Sequence, residues 1–217
     1  MNSRFLRLFP LESFVLLPGA VLPLVVFEPR YLQLTQECME ADEPFGIVLL
    51  KSGYEAGDGE AIPHSVGTTA KIEEVKNEDS GKLLIQVRGE ERFVIRSFDR
   101  SNPYLAAEVE LLEDSEVVNS DTALALDTRK LAEDVLKALI NRSGGWVRDF
   151  SMPDDPSQLS FLIAQMFQGD TKEQQSLLEL NSTIDRLSRE STLLNKVLNE
   201  IISDKTKGIS KTRFSSN

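Results

Sequence analysis

The spacing of hydrophobic and polar residues changes once along the chain. Up to about residue 115, short apolar runs and alternating segments are separated by turn residues, which is typical of β-strands. After about residue 120, apolar residues recur every three or four positions, which indicates helices. The predicted strands cover 4–8, 21–27, 45–50, 68–75, 82–87, 92–100 and 104–114, and the predicted helices cover 122–142, 155–167, 171–180 and 182–204. The pattern predicts an α+β protein.

A helix is predicted to interrupt the first strands. The apolar segment Val21–Phe27 is followed by Glu28, Pro29, Arg30 and Tyr31. Pro29 favours an extended Glu28 and suits the first position of a helix, which we expect to end near Ala41. At this corner Glu28 and Arg30 would satisfy free backbone groups or nearby charges, and direct contact with a ligand is the alternative interpretation.

Between residues 66 and 115 the alternating segments predict consecutive strands joined by turns. The stretch 82–100 is predicted as two strands joined at Arg88–Glu91, and Gly-rich residues 52–67 as a surface loop. Such a succession of short strands favours a closed or nearly closed β-barrel.

The last predicted helix carries a heptad seam. Its members are Ile184, Leu187, Ser191, Leu194, Leu198 and Ile201, at alternating steps of three and four. Packing against the chain's own helices is the first interpretation. Docking of a partner, or of a second copy, is the alternative.

The composition indicates a globular protein that does not bind polyanions. Hydrophobic residues make up 41% of the 217 residues, and the net charge is −11. Negative charge repels nucleic acid and acidic lipid surfaces. Arg88, Arg92 and Arg96 lie near Phe93, as in some single-strand binders, but residues 54–123 hold 7 Lys/Arg against 16 Asp/Glu. We therefore expect these arginines to pair with Glu90, Glu91 and their neighbours on a solvated sheet face.

The sequence carries no motif for catalysis. No phosphate-binding loop, dinucleotide fingerprint or serine-nucleophile elbow occurs. The one cysteine, Cys38, is predicted to lie in the core, and the one histidine, His64, in a loop, where a metal site would need Asp58 or Glu60. Paired carboxylates could still perform acid–base chemistry, but no spacing selects a pair. We expect no enzyme, no catalytic residue, no metal and no cofactor.

The N-terminal apolar segment is not expected to cross a membrane. Pro18, Gly19 and Pro23 interrupt it, and Phe14–Phe27 is too short to span a bilayer. A single cysteine fits a reducing compartment, so we expect a cytoplasmic protein without membrane contact. The basic tail, residues 205–217, is predicted to be flexible.

Several of these segments together resemble one known family. LLPGAVLPLVVFEPRY (16–31), FGIVLL (45–50), VGTTAKIEEV (66–75), GKLLIQVRGEERFVI (81–95) and PYLAAEVE (103–110) are similar, in order and spacing, to the N-terminal domain of Lon proteases. QSLLE (175–179) and RLSRESTLLNKVL (186–198) resemble its helical second half less specifically. The motifs of the Lon ATPase and peptidase modules do not occur, so the resemblance is to a stand-alone member of this family.

The resemblance implies a fold and a function. It implies a PUA-like β-barrel (pseudobarrel) with one inserted helix over 1–118 and a C-terminal α-helical bundle over 119–204. It also implies a non-enzymatic module that recognises unfolded or degron-bearing polypeptides. We expect binding in a groove between the barrel and the helical part, through exposed apolar side chains and main-chain hydrogen bonds to an extended segment. The turn Val15–Leu22 and the loop Ser52–Pro63 are candidates to line this groove. The candidate binding residues are Val15, Leu17, Val21, Leu22, Glu28, Arg30 and Tyr54.

An assembly or adaptor protein is the alternative function. It would dock one defined partner, or itself, through Ile184, Leu187, Leu194, Leu198 and Ile201. We therefore expect polypeptide clients or a protein partner, no nucleic acid, and a monomer or weak dimer.

Overall fold

Seven strands and five helices are present in the computed structural model, which describes residues 3–52, 62–78, 81–115, 121–143 and 151–213. The strands are β1 (Ser3–Leu11), β2 (Val21–Val26), β3 (Phe45–Ser52), β4 (Ile62–Pro63), β5 (Val66–Asn77), β6 (Leu83–Asp99) and β7 (Ala106–Leu112). The helices are α1 (Pro29–Ala41), α2 (Asp121–Ser143), α3 (Pro156–Ala164), α4 (Thr171–Glu179) and α5 (Thr183–Arg213). The predicted α+β class is confirmed.

The strands form one mixed sheet. Their order is β1-β7-β6-β5-β3-β4, with β2 added on β6. The first strand also pairs with β3, in parallel, through Leu8–Leu11 and Gly46–Leu49, whereas the other pairings are antiparallel. The series of paired strands β1-β7-β6-β5-β3 therefore closes into a ring, because β3 pairs with β1. Leu8, Val48, Phe93, Ala107 and Val109 form a buried cluster within this ring of pairings.

The predicted break at residues 88–91 is wrong, because β6 is one 17-residue strand. Its first half pairs with β2 and its second half with β7, while β5 follows both halves. Gly89 lies where the partner changes. Its N–H donates to the Ala20 carbonyl (2.9 Å), and its carbonyl accepts from the Gly19 N–H (2.8 Å). Since these bonds satisfy the backbone, the strand continues through the predicted turn.

The strand-to-helix corner has the predicted form. Glu28 is extended (φ −76°, ψ 134°), and α1 begins at Pro29. Tyr31, in the first turn, is buried and stacks on Phe9 with ring centroids 4.2 Å apart. On the next turns of α1, Glu37 accepts hydrogen bonds from Tyr104 and, at 3.0 Å, from Arg7 of β1. These hydrogen bonds, with that from Gln33, lower the pKa of Glu37 to about 2 and tie the helix to the sheet.

The chain forms two compact units that alternate along the sequence. The first contains Met1–Asp114 and Ala164–Asn181, and the second contains Ser115–Ile163 and Ser182–Asn217. The sequence placed one boundary near residue 118, with α4 in the helical part. In the structure α4 belongs to the unit that contains the sheet. The backbone of α5 also continues to Arg213, into the segment predicted as a flexible tail.

Arg92 explains why α4 belongs to the sheet unit. Its side chain is buried and donates to the carbonyls of Leu178 and Leu180, both at 2.8 Å, at the C-terminal end of α4. The same guanidinium binds Asp114, just after β7, at 2.5 Å. The expectation of a solvated cross-strand pair is therefore wrong for Arg92. The last carbonyls of a helix have no hydrogen-bond donor within the helix, and here the Arg92 guanidinium supplies one.

Arg88 and Arg96 form the expected surface pairs, although with other carboxylates than Glu90 and Glu91. Arg88 binds Glu73 of β5, and Arg96 binds Glu110 of β7. Glu91 pairs with Arg4 of β1 at 3.4 Å. The prediction of cross-strand ion pairs is thus confirmed for two of the three arginines.

In the second unit, α5 packs against α2. A polar network is buried between α5 and α3. Arg186 Nε donates to Ser160 Oγ (2.7 Å), and Ser160 Oγ donates to Glu190 Oε1 (2.9 Å). The Arg186 guanidinium also lies 3.9 Å from the centre of the Phe161 ring. Arg186, Ser160 and Glu190 have no exposed surface. An arginine and a glutamate, both ionisable, therefore lie in the interior of a small helical unit.

Candidate functional site

An apolar stripe is exposed along β2. The side chains of Leu22 and Val26 are buried, whereas those of Val21, Pro23, Val25 and Phe27 face the solvent. Val21 is 41% exposed, Val25 51% and Phe27 60%. Because side chains alternate along a strand, Val21, Pro23 and Val25 lie on one face of the sheet. Phe27 follows directly after the strand, and we refer to these four residues as the β2 stripe. A continuous row of exposed apolar side chains is typical of a surface that binds another molecule.

The stripe lies on an edge strand. Among the described residues, β2 pairs with β6 alone, so the other side of β2 carries no partner strand. Pro23 sits in the middle of β2. Proline within a sheet is tolerated at an edge, where the missing N–H does not break a ladder bond.

An ion pair lies beside the start of the stripe. Arg88 lies opposite Val21 and binds Glu73 at 2.5 Å, and it donates to the Gly19 carbonyl at 3.3 Å. The hydrogen bond from Arg88 holds the pKa of Glu73 below its usual value. Half-buried Leu84 lies opposite Val25 and widens the apolar surface. The β2 stripe therefore borders a neutralised ion pair at its start and further apolar surface at Leu84.

The corner at the end of β2 is held by a local ion pair. Arg30 binds Glu28 at 2.9 Å and stacks on the Tyr31 ring, with its guanidinium carbon 4.6 Å from the ring centre. The Glu28 side chain makes no capping hydrogen bond to α1 and pairs with Arg30, which is the second of the two roles expected at this corner. Both side chains are half-buried. Their contact with a ligand stays a prediction.

The other predicted binding residues lie in different environments. Val15, Leu17 and Leu22 are buried, so contact with a polypeptide would require them to leave the core. Val21 is exposed and belongs to the β2 stripe. Tyr54 and most of the loop 52–63 lie outside the described residues. Polypeptide binding by these residues stays a prediction.

Sequence reasoning missed Pro23, Val25 and Phe27. Segment 21–27 is apolar at every position, and an apolar run carries no period that would separate an exposed face from a buried one. The one signal was Pro23, because a proline inside a strand indicates an edge.

The heptad seam of α5 is mostly buried within its own unit. Leu187, Leu194 and Ile201 are buried, and Ile184 and Leu198 are half-buried. This matches the first interpretation, in which the seam packs on the chain's own helices. Partner docking through these residues stays a prediction, and it would require the seam to separate from its present neighbours.

The single cysteine and the single histidine of the chain make structural contacts. Cys38 is buried beside a pocket of about 300 Å³ at the end of α1, and burial raises the pKa of its thiol to about 11. His64 Nδ1 lies 3.0 Å from Glu179 Oε1. This contact links the end of β4 to the end of α4. No group of three or more His, Cys, Asp or Glu residues suited to a metal ion occurs in the described ranges. Nor does any helix there have the length and hydrophobicity needed to cross a bilayer.

Comparison with known proteins gives relatives over nearly the whole chain. It is 28% identical over 193 residues to the Lon protease of Anaeromyxobacter dehalogenans (strain 2CP-C), which covers 88% of this chain and 23% of that protein. It is 30% identical over 189 residues to the Lon protease of Methylocella silvestris, covering 85% of this chain and 22% of that protein. The chain therefore spans less than a quarter of the length of these relatives.

Solved structures share the fold. A crystal structure of a Lon N-terminal domain protein from Xanthomonas campestris has a TM-score of 0.63 and 29% identity, covering 86% of this chain and 96% of that chain. The N-terminal domain of the Mycobacterium avium complex Lon protease has a TM-score of 0.67, 20% identity and coverages of 88% and 98%. The family model of the ATP-dependent protease La (LON) substrate-binding domain matches residues 6–196. The predicted resemblance is confirmed, and the chain belongs to the family of Lon substrate-binding domains.

Proposed function

We propose that this protein is a polypeptide-binding module that holds extended, apolar segments of unfolded or degron-bearing proteins on the β2 stripe. Membership of a family described as a substrate-binding domain supports the binding of protein substrates. The observation that carries the proposal is the exposed row Val21, Pro23 and Val25 on an edge strand, with exposed Phe27 directly after it. In this proposal the chain acts by binding, without catalysis.

The proposed binding surface differs from the groove inferred from sequence. It keeps Val21 and replaces the buried side chains Val15, Leu17 and Leu22 with Val25 and Phe27. Glu28 and Arg30 border the stripe at the end of β2, where they would contact polar groups of a bound segment. An exposed aromatic residue beside aliphatic ones is a common anchor in protein recognition.

The architecture behind this surface is part of the same proposal. The ring of pairings from β1 through β7, β6, β5 and β3 supports a PUA-like pseudobarrel. The packing of α2 with α5 supports a small helical bundle. In this interpretation the pseudobarrel gives β2 a rigid base, which lowers the entropy cost of presenting the stripe.

The test is binding of a fluorescein-labelled peptide that alternates valine with lysine, followed by fluorescence anisotropy. We expect the double variant Val25→Thr/Phe27→Ser to weaken binding about tenfold or more, because it removes apolar surface that the peptide covers. The matched control is Phe5→Ser on β1, since Phe5 is also half exposed but lies outside the stripe. It is expected to leave the affinity unchanged.

Two results would contradict the proposal. One is the absence of peptide binding by the wild-type protein. The other is equal weakening by Phe5→Ser and by the stripe variant, which would indicate nonspecific adhesion. Thermal unfolding of each variant separates loss of binding from loss of fold. All three substitutions are at exposed positions, where changes usually cost less than about 0.5 kcal/mol.

A further inference from the structure

The hydrogen-bond pattern of β2 determines which main-chain groups face its free edge. Gly89 N–H donates to the Ala20 carbonyl, and the β2–β6 register, in which Val21 lies opposite Arg88, places Ala20 opposite Gly89. In an antiparallel pair, hydrogen-bonded and non-hydrogen-bonded positions alternate. Leu22, Leu24 and Val26 therefore bond to β6, and the main-chain groups of Val21, Pro23 and Val25 face away from it.

Pro23 independently supports this assignment. Proline has no N–H, so it fits a position whose donor faces away from the neighbouring strand. Val21 and Val25 thus each present an N–H and a C=O along the free edge, whereas Pro23 presents only a C=O. The edge can accept a further strand, but with one donor missing at its centre.

We propose that the β2 edge binds its polypeptide by strand addition, through the main chain of Val21 and Val25, and that Pro23 weakens this pairing so that binding stays reversible. The inference rests on the proposed function and adds its mode and its ligand class. The ligand is an extended segment with apolar side chains at every second residue. Those side chains would lie beside the β2 stripe, because directly opposite residues of paired strands share a face.

The observations favour a polypeptide segment over a second copy of this chain as the occupant. The edge is six residues long, or about 20 Å, whereas a stable dimer buries about 800 Å² on each partner. Four exposed side chains, three on one strand and one directly after it, supply much less than this. Each copy also carries a net charge of −11, which opposes self-association and favours a segment with basic residues.

The first test is Pro23→Val, measured with the same valine–lysine peptide. Valine keeps an apolar side chain in the stripe and supplies the missing N–H. We expect the affinity to rise about 2- to 10-fold, the effect of one additional backbone hydrogen bond. An unchanged or lower affinity in a folded Pro23→Val protein would overturn strand addition.

The second test uses the wild-type protein and therefore does not depend on the folding of a variant. Two peptides carry N-methyl groups, one on all valines and the other on all lysines. An added strand uses the main-chain groups of alternate residues, so one set of methyl groups should weaken binding about tenfold or more and the other should be tolerated. Equal binding of both peptides would overturn the inference.

These outcomes are distinct from failure of the proposed function. If Val25→Thr/Phe27→Ser weakens binding while Pro23→Val and the methyl patterns have no effect, the stripe binds peptides through side chains and strand addition is wrong. A wild-type protein that sediments as a dimer, and becomes a monomer with Val25→Thr, would also overturn the inference, because a second copy would then occupy the edge.

Discussion

Arg92 and Arg186, two arginines in the protein interior, show how single residues organise this fold. Each guanidinium is buried, and each joins a helix to another element through several hydrogen bonds. Arginine suits this position because its planar fork satisfies several acceptors at once and is less strongly hydrated than lysine. Removing one partner of such a group leaves the others buried without a bond.

Arg92→Met tests this role at the end of α4. Methionine approximates the length of the side chain but leaves the Leu178 and Leu180 carbonyls and Asp114 without the guanidinium. We expect a loss of about 3–5 kcal/mol in the free energy of unfolding, measured by urea denaturation. Arg96→Met is the matched control, because the Arg96–Glu110 pair is exposed and worth about 0–1 kcal/mol. Equal losses in both variants would refute the assigned role.

Glu190 lies beside Arg186 but is not simply its ion-pair partner. Burial raises the pKa of Glu190 to about 9, although Ser160 and Arg186 act in the opposite direction. Its Oε2 atom is buried and has no hydrogen-bond partner among the residues that the structure describes. At neutral pH the carboxyl group is therefore protonated in the folded protein and ionised in the unfolded chain, where its pKa is near 4.5.

This difference predicts a pH dependence of stability. Between pH 4.5 and about 9 the folded protein binds one proton more than the unfolded chain at this residue, so stability falls as the pH rises. The contribution is at most about 1.4 kcal/mol per pH unit. Glu190→Gln keeps an acceptor for Ser160 and removes the titration. We expect its stability to fall less between pH 5 and about 9 in urea denaturation, and parallel curves would show that Glu190 is ionised in the folded state.

At the scale of elements, β2 is positioned by the close approach of its preceding turn to β6. A Cβ atom on Gly89 would lie 2.4 Å from the Leu17 carbonyl oxygen and 3.1 Å from Leu16 Cγ. Position 89 therefore requires glycine, because the turn leaves no space for a side chain where it crosses β6. The same crossing supplies the hydrogen bonds of Ala20 and Gly19 that begin the β2–β6 pairing.

Gly89→Ala should therefore affect both stability and binding. We expect a loss of about 1–3 kcal/mol, because the backbone of the turn must move to admit the methyl group. Peptide affinity should fall as well, since the turn leads directly into the β2 stripe. Glu90→Ala, at the exposed neighbouring position, is the control for both measurements. If the Gly89→Ala variant had the same stability and the same peptide affinity as the wild-type protein, the turn would accommodate the methyl group without strain, and the assigned role of Gly89 would be wrong.

At the scale of the whole molecule, charge limits the possible partners. With 35 Asp and Glu residues against 24 Lys and Arg, the chain is strongly acidic. The three arginines near Phe93 that resemble a nucleic-acid site all bind carboxylates, and the Phe93 ring is itself buried. Stacking on a base requires an exposed ring and an unpaired cationic groove.

We therefore expect no measurable binding of single-stranded RNA, even at low salt. Fluorescence anisotropy with a labelled oligonucleotide provides the measurement, with the valine–lysine peptide as a positive control for active protein. Binding that weakens steeply with added salt would contradict this expectation, because that dependence is the signature of phosphate contacts.

Periodicity and turn chemistry in the sequence alone determined most of the elements. The corner at Pro29, the strands 45–50 and 104–114, and the four later helices all follow from local rules for proline, alternation and helical spacing. These rules depend on residues close together in the chain, so their effects can be predicted from the sequence. The family was also visible, because its motifs keep their order and spacing.

Only the tertiary structure decided where each surface faces. The sequence could not separate exposed Val25 and Phe27 from buried Leu17 and Leu22, because all are apolar and their environment depends on which strands lie beside them. It could not show that Arg92 is buried, or that β6 continues through Gly89, because the groups that satisfy them come from distant parts of the chain. The edge position of β2, on which the proposed function rests, is a property of strand order, and strand order is decided by long-range packing.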